Sequence, residues 1–394
     1  MSNTFSGDFS TMWKLGLRPP IQHLTWDWWW WLVMLDDEDG QPSGKQLMVL
    51  WSTKTNELVH VNGTPWKPHG RPSDTLDGAY NIDGMVCAWW FDGTKMHEPL
   101  LKEICAMTIV DDTSSVWPKS GGMGQGGGAV IPQLPFDCSM GLESDLSSFW
   151  IHLEPTLESM KGVPFSLQCT PLNQTVSHAR HLQADYAKNM GYDILRIHGT
   201  KVEGTIGTSD VRGTAYFQKV CVQAPSPPWY WGVLHFSDGS YLDWFIPHVS
   251  LTMTSQTSQP WKKRDISHLS LSQGGLFHDM KNNRTERFTK VRLVKHRGEG
   301  VEDSHGSHPG AHLPQFDLEL KNGRTTIELQ IEAIERAHWH FDQPTRGGMW
   351  SHLTYNEYPL KVNYLRIHDE FGHRSTSEYE WIRGNAEHSW GILH

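Results

Sequence analysis

The sequence has few of the features that mark nucleic-acid-binding or disulfide-stabilised proteins. Its 394 residues include five cysteines, scattered at 87, 105, 138, 169 and 221 and never in a Cys-x-x-Cys spacing. This odd, scattered set favours free buried thiols in a reducing compartment over a disulfide framework or a zinc site. The 34 Lys and Arg are outnumbered by 44 Asp and Glu, for a formal net charge of −10. Because phosphate binding needs a surplus of basic residues, we expect no nucleic-acid partner.

Long apolar runs are also missing. The run Trp28–Leu35 ends at Asp36 and Asp37, far short of the roughly 20 residues that a membrane-spanning helix needs. Residues Met1–Trp13 have no apolar core behind a basic start, so they predict no signal peptide. We therefore expect a cytoplasmic protein without a transmembrane segment.

Helix signals are sparse, whereas Gly, Pro, Asn and Asp interrupt short or alternating apolar runs at close intervals. This pattern predicts many antiparallel strands and few short helices. The two candidate helices are Glu143–Met160 and Ser177–Asn189. The Gly-rich segment Gly121–Gly128 and the His-rich segment Arg297–His312 are predicted to be loops.

An internal repeat relates the two halves of the chain. Leu195-Arg196-Ile197-His198 recurs as Leu365-Arg366-Ile367-His368, and Val211–Ala215 is matched at nearly the same offset by Ile382–Ala386. Two matches at nearly one offset predict two diverged copies of one all-β domain. Each copy opens with a Trp-rich strand and closes with an Arg-Gly strand.

Closure of each copy into an antiparallel barrel would remove its exposed sheet edges. The first barrel is predicted to span residues 20–222, with a Gly-rich insertion near 111–150. The second is predicted to span residues 223–394. The sequence gives no indication of the oligomeric state.

Three short motifs resemble a superfamily of two-domain lipocalin-like proteins. They are Trp26–Trp30, the Gly213…Tyr216 strand leading into Trp229–Gly232, and Trp350-Ser351 followed by Tyr358-Pro359-Leu360. The superfamily contains carotenoid 1,2-hydratases (hydroxyneurosporene synthases), kievitone hydratases and fungal Diels–Alderases. The resemblance implies two tandem lipocalin-like barrels and a hydrophobic, isoprenoid- or polyketide-like ligand.

Tyr241-Leu242-Asp243 resembles the Tyr/Asp pair with which carotenoid hydratases are thought to protonate an alkene. The resemblance therefore implies that Asp243 donates the proton. Tyr241 and Tyr216 would orient either Asp243 or the substrate. One departure is present. Where those enzymes carry a His and a Trp on the preceding strand, this chain has Tyr216-Phe217-Gln218-Lys219.

Asp238-Gly239 predicts a two-residue hairpin turn between two aromatic runs. Because side chains alternate across a strand, this turn places Asp243 on a face with Leu234 and Phe236, opposite the Trp residues. Burial there would raise the pKa of Asp243 and make it an acid usable near neutral pH. The alternative is a structural carboxylate that accepts hydrogen bonds from the backbone or an Arg.

The other candidate residues are predicted to contact a ligand. The Trp residues either line an apolar pocket or fill the barrels, because a barrel of about eight strands accommodates both arrangements. For Asp27 and Glu387 the alternative is a salt bridge to an Arg. The substrate-binding set comprises Asp27, Trp28, Trp30, Gln218, Trp229, Trp231, His235, Trp244, Glu387, His388 and Trp390.

The sequence predicts no cofactor and no metal site. Gly122–Gly127 fits G-x-G-x-x-G, but Pro132 and Pro135 prevent the helix that a dinucleotide site requires. The histidines at 305, 308 and 312, and His338 with His340, lack an accompanying Cys or paired acid. Solvated histidines are the better interpretation.

Three functions are compatible with these residues. The first is an acid-catalysing hydratase, cyclase or isomerase that acts on a hydrophobic small molecule in a Trp-lined pocket. The second is a non-catalytic carrier of a lipid, pigment or quinone, which would use the same aromatic walls. The third is a carbohydrate-active protein, which would need two carboxylates facing each other across a groove.

Overall fold

The computed structural model of the chain is all-β. It describes residues 12–15, 21, 23–54, 58–68, 78–111, 127–172, 179–187, 189–223, 229–250, 268–302, 312–344 and 350–393. Two short 3-10 turns, Glu158–Met160 and Thr376–Glu378, lie between the strands. Within the described ranges no helix is long and apolar enough to cross a membrane. The all-β prediction is confirmed, and all five cysteines are free, as predicted.

The chain divides into two compact units. The first comprises Met1–Val59, Pro65–Trp90 and His97–Pro225. The second comprises Ser226–His394 together with two short segments of the N-terminal half, His60–Thr64 and Phe91–Met96.

The described residues of the N-terminal half form thirteen strands. They are β1 (Thr25–Asp36), β2 (Pro42–Lys54), β3 (Val59–Val61), β4 (Thr64–Trp66), β5 (Ala79–Phe91), β6 (Met96–Val110), β7 (Ala129–Pro132), β8 (Met140–Leu142), β9 (Phe149–Leu153), β10 (Phe165–Pro171), β11 (Ala179–Ala187), β12 (Met190–Ile206) and β13 (Ser209–Gln223). Ten of them close into a barrel in the order β1-β2-β5-β6-β7-β8-β9-β10-β12-β13, and β13 returns to pair with β1. Strand β11 pairs with β12 outside this ring.

The interior of the first barrel is filled by side chains. Alternate residues of β1, among them Trp29 and Trp31, face the core together with Met12 and Trp13. Trp13 Nε1 donates to the carbonyl oxygen of Gly127 at 3.0 Å, and Trp29 Nε1 donates to that of Met12 at 2.8 Å. We call Met12 and Trp13 the plug, because they precede the first strand and pack into the buried core of this unit.

Two local predictions for this half are wrong. The segment predicted as a helix at 143–160 contains β9 and a 3-10 turn, and the described part of the one predicted at 177–189 is β11. Both strands have neighbours on the sheet, β9 with β10 and β11 with β12. Ladder hydrogen bonds and cross-strand packing outweigh a weak local helix signal.

The segments predicted as loops and as an insertion form strands in part, and in part lie outside the described residues. Residues 127–150, within the predicted insertion, carry β7, β8 and the start of β9 as barrel strands. Residues 112–126, with most of the Gly-rich motif, lie outside the described residues. In the predicted loop at 297–312, residues up to Glu302 continue a strand and His312 begins the next. His305 and His308 lie outside the described residues.

In the C-terminal half, the part of the chain that the structure describes forms twelve strands. They are β14 (Trp229–Phe236), β15 (Tyr241–Ser250), β16 (His268–Ser270), β17 (Gly274–Asp279), β18 (Arg284–Phe288), β19 (Lys290–Glu302), β20 (His312–Lys321), β21 (Thr326–Ala333), β22 (Ala337–Pro344), β23 (Trp350–Asp369), β24 (Gly372–Ser375) and β25 (Ile382–Leu393). Neighbouring strands of their sheet follow the order β18-β17-β15-β14-β25-β23-β21-β20-β19. Strand β22 pairs with β23 and with β3 of the β3–β4 hairpin.

The repeated Arg-Gly motif has the same place in both units. Gly213 lies on β13 beside the opening strand β1, and Gly384 lies on β25 beside the opening strand β14. A Cβ at Gly213 would be 2.1 Å from the carbonyl oxygen of Met34, and one at Gly384 would be 2.3 Å from that of Val233. In each unit, glycine therefore allows the last strand to approach the first.

Candidate functional site

The β14–β15 hairpin has a register one residue away from the predicted one. His235 pairs with Tyr241 and Val233 with Asp243, so the turn comprises three residues, 237–239. Gly239 has φ +86°, and the backbone N–H of Ser240 donates to Asp238 Oδ1 at 2.9 Å. Three-residue hairpins use such a left-handed glycine, which explains why the predicted two-residue turn is wrong.

The corrected register changes which residues share a face. The predicted neighbours of Asp243, Leu234 and Phe236, belong to the hydrophobic core of the second unit instead. Strand pairing brings twelve residues of β15, β14, β25 and β23 to the opposite face. We call it the polar face; it carries Tyr241, Asp243, Phe245, Trp229, Trp231, Val233, His235, Arg383, Asn385, Glu387, Tyr355 and Glu357.

The charged groups of the polar face are buried. Asp243 is 2% exposed, Glu387 4% and Glu357 0%. Buried carboxylates are costly unless they are hydrogen-bonded or protonated. Such a concentration of acids on one buried face indicates a chemical use for them, or a network that holds the sheet together.

Tyr355 bridges two of these acids. Its hydroxyl oxygen lies 2.8 Å from Glu357 Oε2 and 2.7 Å from Glu387 Oε1, and Trp229 Nε1 donates to Glu387 Oε2 at 2.7 Å. Burial, followed by the charges of Glu357 and Glu387, raises the pKa of Tyr355 well above its usual value. The phenol therefore keeps its proton.

One phenol proton can serve only one of these two carboxylates. We call Glu357, Tyr355 and Glu387 the carboxyl cluster. It brings two buried carboxyl groups within hydrogen-bond distance of one phenol hydroxyl.

Asp243 lies two strands away from Glu387. The pairs Asp243–Val233 and Val233–Asn385 place it opposite Asn385, two residues along β25 from Glu387. With strands about 4.8 Å apart and about 3.4 Å per residue, the two acids are roughly 12 Å apart. Next to Asp243 on its own face, the Tyr241 ring stacks on His278 with centroids 5.0 Å apart.

Tyr216, Gln218 and Trp30 form a separate group in the first unit, on the side of β1 and β13 that faces away from the barrel interior. The ring centroids of Trp30 and Tyr216 are 5.9 Å apart, and Tyr216 Oη donates to Gln218 Oε1 at 3.2 Å. His198 approaches Tyr216 edge-on at 5.8 Å.

Asp27 faces the interior of the first barrel, whereas Trp28 and Trp30 on the same strand face outwards. Lys219 Nζ lies 2.6 Å from Asp27 Oδ1 and 4.6 Å from the centroid of the Trp29 ring. Both charged side chains are buried. Asp27 is thus paired with a lysine of β13.

Trp244 and His388 belong to the core side of the second unit, away from the polar face. A Cβ at Gly232 would be 2.1 Å from the Trp244 ring, so this glycine makes room for the indole. His388 stacks on Tyr230 with centroids 4.3 Å apart, and Lys295 Nζ lies 3.2 Å from His388 Nδ1. Since an ammonium group only donates, Nδ1 accepts and the ring proton lies on Nε2. Trp390 pairs with Thr354 through the backbone.

Sequence reasoning missed Tyr355, Glu357 and Asn385. Each is a polar residue at an alternating position of a strand whose other face is apolar. That period-two pattern is the signal that identifies them, because it separates a buried polar face from the core. Their partners lie on other strands, and no short motif connects them. Among the described residues, no three His, Cys, Asp or Glu are grouped to hold a metal ion.

No protein-family model matches the sequence, and no curated protein matches it. The chain is similar to the AttH protein NE1406 of Nitrosomonas europaea, with 13% identity, a TM-score of 0.48, and 93% of this chain and 92% of that one covered. It is also similar to CghA in its crystal structure with Sch210972, with 9% identity, a TM-score of 0.48, and 99% and 97% of the two chains covered.

Proposed function

We propose that the protein is a cofactor-free enzyme that converts a hydrophobic isoprenoid- or polyketide-like molecule by acid catalysis, as a hydratase, cyclase or isomerase. The observation that carries this proposal is the carboxyl cluster. It joins two buried carboxyl groups and a phenol on the same buried face as Asp243, Tyr241 and Trp231. Acid groups and aromatic faces are the two components that protonation of a carbon–carbon double bond requires.

In the proposed reaction Asp243 protonates one carbon of the double bond, and the positive charge develops on the other. Tyr241 orients the acid, and Trp229 and Trp231 stabilise the cation through their ring faces. Water then adds and loses a proton, or a second double bond attacks and the new cation loses a proton, or a neighbouring carbon loses a proton. Each route returns one proton to a carboxylate, and the carboxyl cluster is the second group able to accept it.

The geometry disfavours a carbohydrate-active protein. That function needs two carboxylates separated by a groove in which a sugar lies. Glu357 and Glu387 are adjacent on paired strands, and the hydroxyl of Tyr355 occupies the space between them. A non-catalytic carrier would use the same aromatic side chains, so the test below separates a carrier from a catalyst.

The test begins with native mass spectrometry and solvent extraction of protein purified from its own host, which identify the bound molecule. That molecule is then incubated with the protein in D2O. We expect a product with one deuteron on carbon, and Asp243→Asn should lower turnover by about 10²–10⁴-fold. Asp317→Asn, an isosteric change at a half-exposed acid of β20, is the matched control and should leave turnover unchanged.

Two outcomes contradict the proposal. Recovery of the extracted molecule unchanged and without deuterium would identify a carrier. Full turnover by Asp243→Asn, with binding retained, would remove Asp243 from the mechanism, and Glu387→Gln would then test the carboxyl cluster in its place.

A further inference from the structure

Lys54 is a buried amine at the end of β2 in the first unit. It pairs with Trp26 across the strands, and its side chain lies on the face of the sheet that points away from the barrel interior. Its exposed fraction is 3%, and Nζ lies 4.6 Å from the centroid of the Trp26 ring. Among the residues that the structure describes, no carboxylate forms an ion pair with it.

Lys219 provides a matched comparison in the same barrel. It is also buried, and its Nζ also lies 4.6 Å from the centroid of a Trp ring, that of Trp29. The difference is Asp27, whose Oδ1 lies 2.6 Å from Lys219 Nζ. The two lysines therefore have similar aromatic support, but within the described part of the chain only Lys219 has a carboxylate to stabilise its charge.

Burial changes the protonation state of Lys54. Burial lowers the pKa of Lys54 to about 7, so about half of this amine is neutral at neutral pH. An ordinary lysine with a pKa of about 10.4 is neutral in fewer than about one molecule in a thousand at that pH. Desolvated lysines of this kind are the ones that act as nucleophiles towards carbonyl groups.

The surroundings of Lys54 suit an apolar carbonyl compound. Trp26 is held in place by a hydrogen bond from its indole N–H to Ser52 Oγ. Trp28, which is only partly buried, packs edge-on against Trp26 with centroids 5.8 Å apart. The two indoles offer flat apolar contact to a ligand, and the face of Trp26 beneath the nitrogen stabilises a cation formed there.

We infer that Lys54 captures hydrophobic aldehydes or ketones as a Schiff base. The lone pair of Nζ attacks the carbonyl carbon, and the carbonyl oxygen leaves as water with the two amine hydrogens. The imine takes up one proton from solvent, and its positive charge lies over the Trp26 ring as the ammonium group did. No oxidant or reductant takes part. The inference does not depend on the proposed function, because it uses no residue of the polar face.

The test uses benzaldehyde as the probe and sodium cyanoborohydride to trap the imine in the full-length protein. Peptide mapping by mass spectrometry gives the labelling rate of each lysine between pH 5.5 and pH 10. We expect Lys54 to react at least about tenfold faster than any other lysine at pH 7, with its rate half-maximal near pH 7. Lys219 should stay unlabelled, because its charge is paired with Asp27.

Two variants complete the experiment. Lys54→Arg and Lys54→Met should both abolish the fast labelling phase, and circular dichroism checks that they are folded. Equal rates at Lys54 and at the exposed Lys161 would overturn the inference, as would a Lys54 rate that rises only above about pH 9. Because the pH profile is measured on the unmodified protein, the outcome does not depend on either variant folding.

Discussion

Three buried charged residues among those that the structure describes have different surroundings. Asp27 is paired with a lysine, Glu387 accepts a hydrogen bond from an indole N–H and contacts the Tyr355 hydroxyl, and Lys54 lies over an aromatic face. Each environment restricts what the residue can do. A fully paired charge stabilises one conformation, whereas a charge without a counterion is free to change its protonation state and react.

The Asp27–Lys219 pair is expected to be strongly coupled. Lys219→Met would leave the Asp27 carboxylate buried without its cation, so the free energy of unfolding should fall by about 3–5 kcal/mol. Adding Asp27→Asn should restore most of that loss, because no uncompensated charge remains. Urea unfolding followed by Trp fluorescence measures both values.

The matched control is Lys201→Met, which removes the exposed ion pair with Glu203. Its effect should stay below about 1 kcal/mol. Strict additivity of the Asp27 and Lys219 substitutions would show that the two charges do not interact.

Part of the candidate site could be predicted from individual residues and their local sequence. Trp229, Trp231, Tyr241, Asp243 and Glu387 were all predicted as site residues, and they lie on one face of one sheet. Tyr355 and Glu357 could not be predicted in this way. Their contacts to Glu387 join strands about 30 residues apart in the sequence, and no local pattern specifies that pairing.

At the scale of elements, register decides which residues meet. The sequence predicts the β14–β15 hairpin from Asp238-Gly239, but these residues are compatible with both a two-residue and a three-residue turn. A slip of one residue moves every side chain of one strand to the other face relative to its partner. The three-residue turn is what brings Trp231 to the same face as Asp243.

Gly239 is expected to be required for this turn. Its φ of +86° lies in the left-handed region, where a side chain costs about 1 kcal/mol or more. Gly239→Ala should therefore lower the free energy of unfolding by about that amount. Gly323→Ala is the control, because Gly323 lies in the β20–β21 turn without a positive φ and with open space around it. Equal stability of the two variants, measured by urea titration, would contradict the strained turn.

At the scale of the whole molecule, the internal repeat was the most informative signal. It predicts that an opening Trp-rich strand and a closing Arg-Gly strand recur, and in each unit those two strands pair side by side. The repeat could not predict that His60–Thr64 and Phe91–Met96 belong to the second unit. Those segments have no counterpart in the other copy, and their partners are distant in the sequence.

The plug is expected to carry much of the stability of the first unit. Trp13 is fully buried and its indole is hydrogen-bonded to Gly127. Trp13→Ala should leave a large cavity and lower the free energy of unfolding by about 3–5 kcal/mol. Trp350→Ala, at an exposed Trp of β23, should cost far less. Similar urea midpoints for the two variants would show that Trp13 does not fill the barrel.

The β3–β22 pairing has a consequence for protein synthesis. Asn62 and His340 exchange two hydrogen bonds across 278 residues of chain. A ribosome adding about 5–20 residues per second needs roughly 15–55 s to make that stretch. During this interval β3 has left the ribosome while its partner strand does not yet exist. The speed of translation therefore sets how long the nascent chain carries an unmatched sheet edge, which is the period in which a chaperone would be needed.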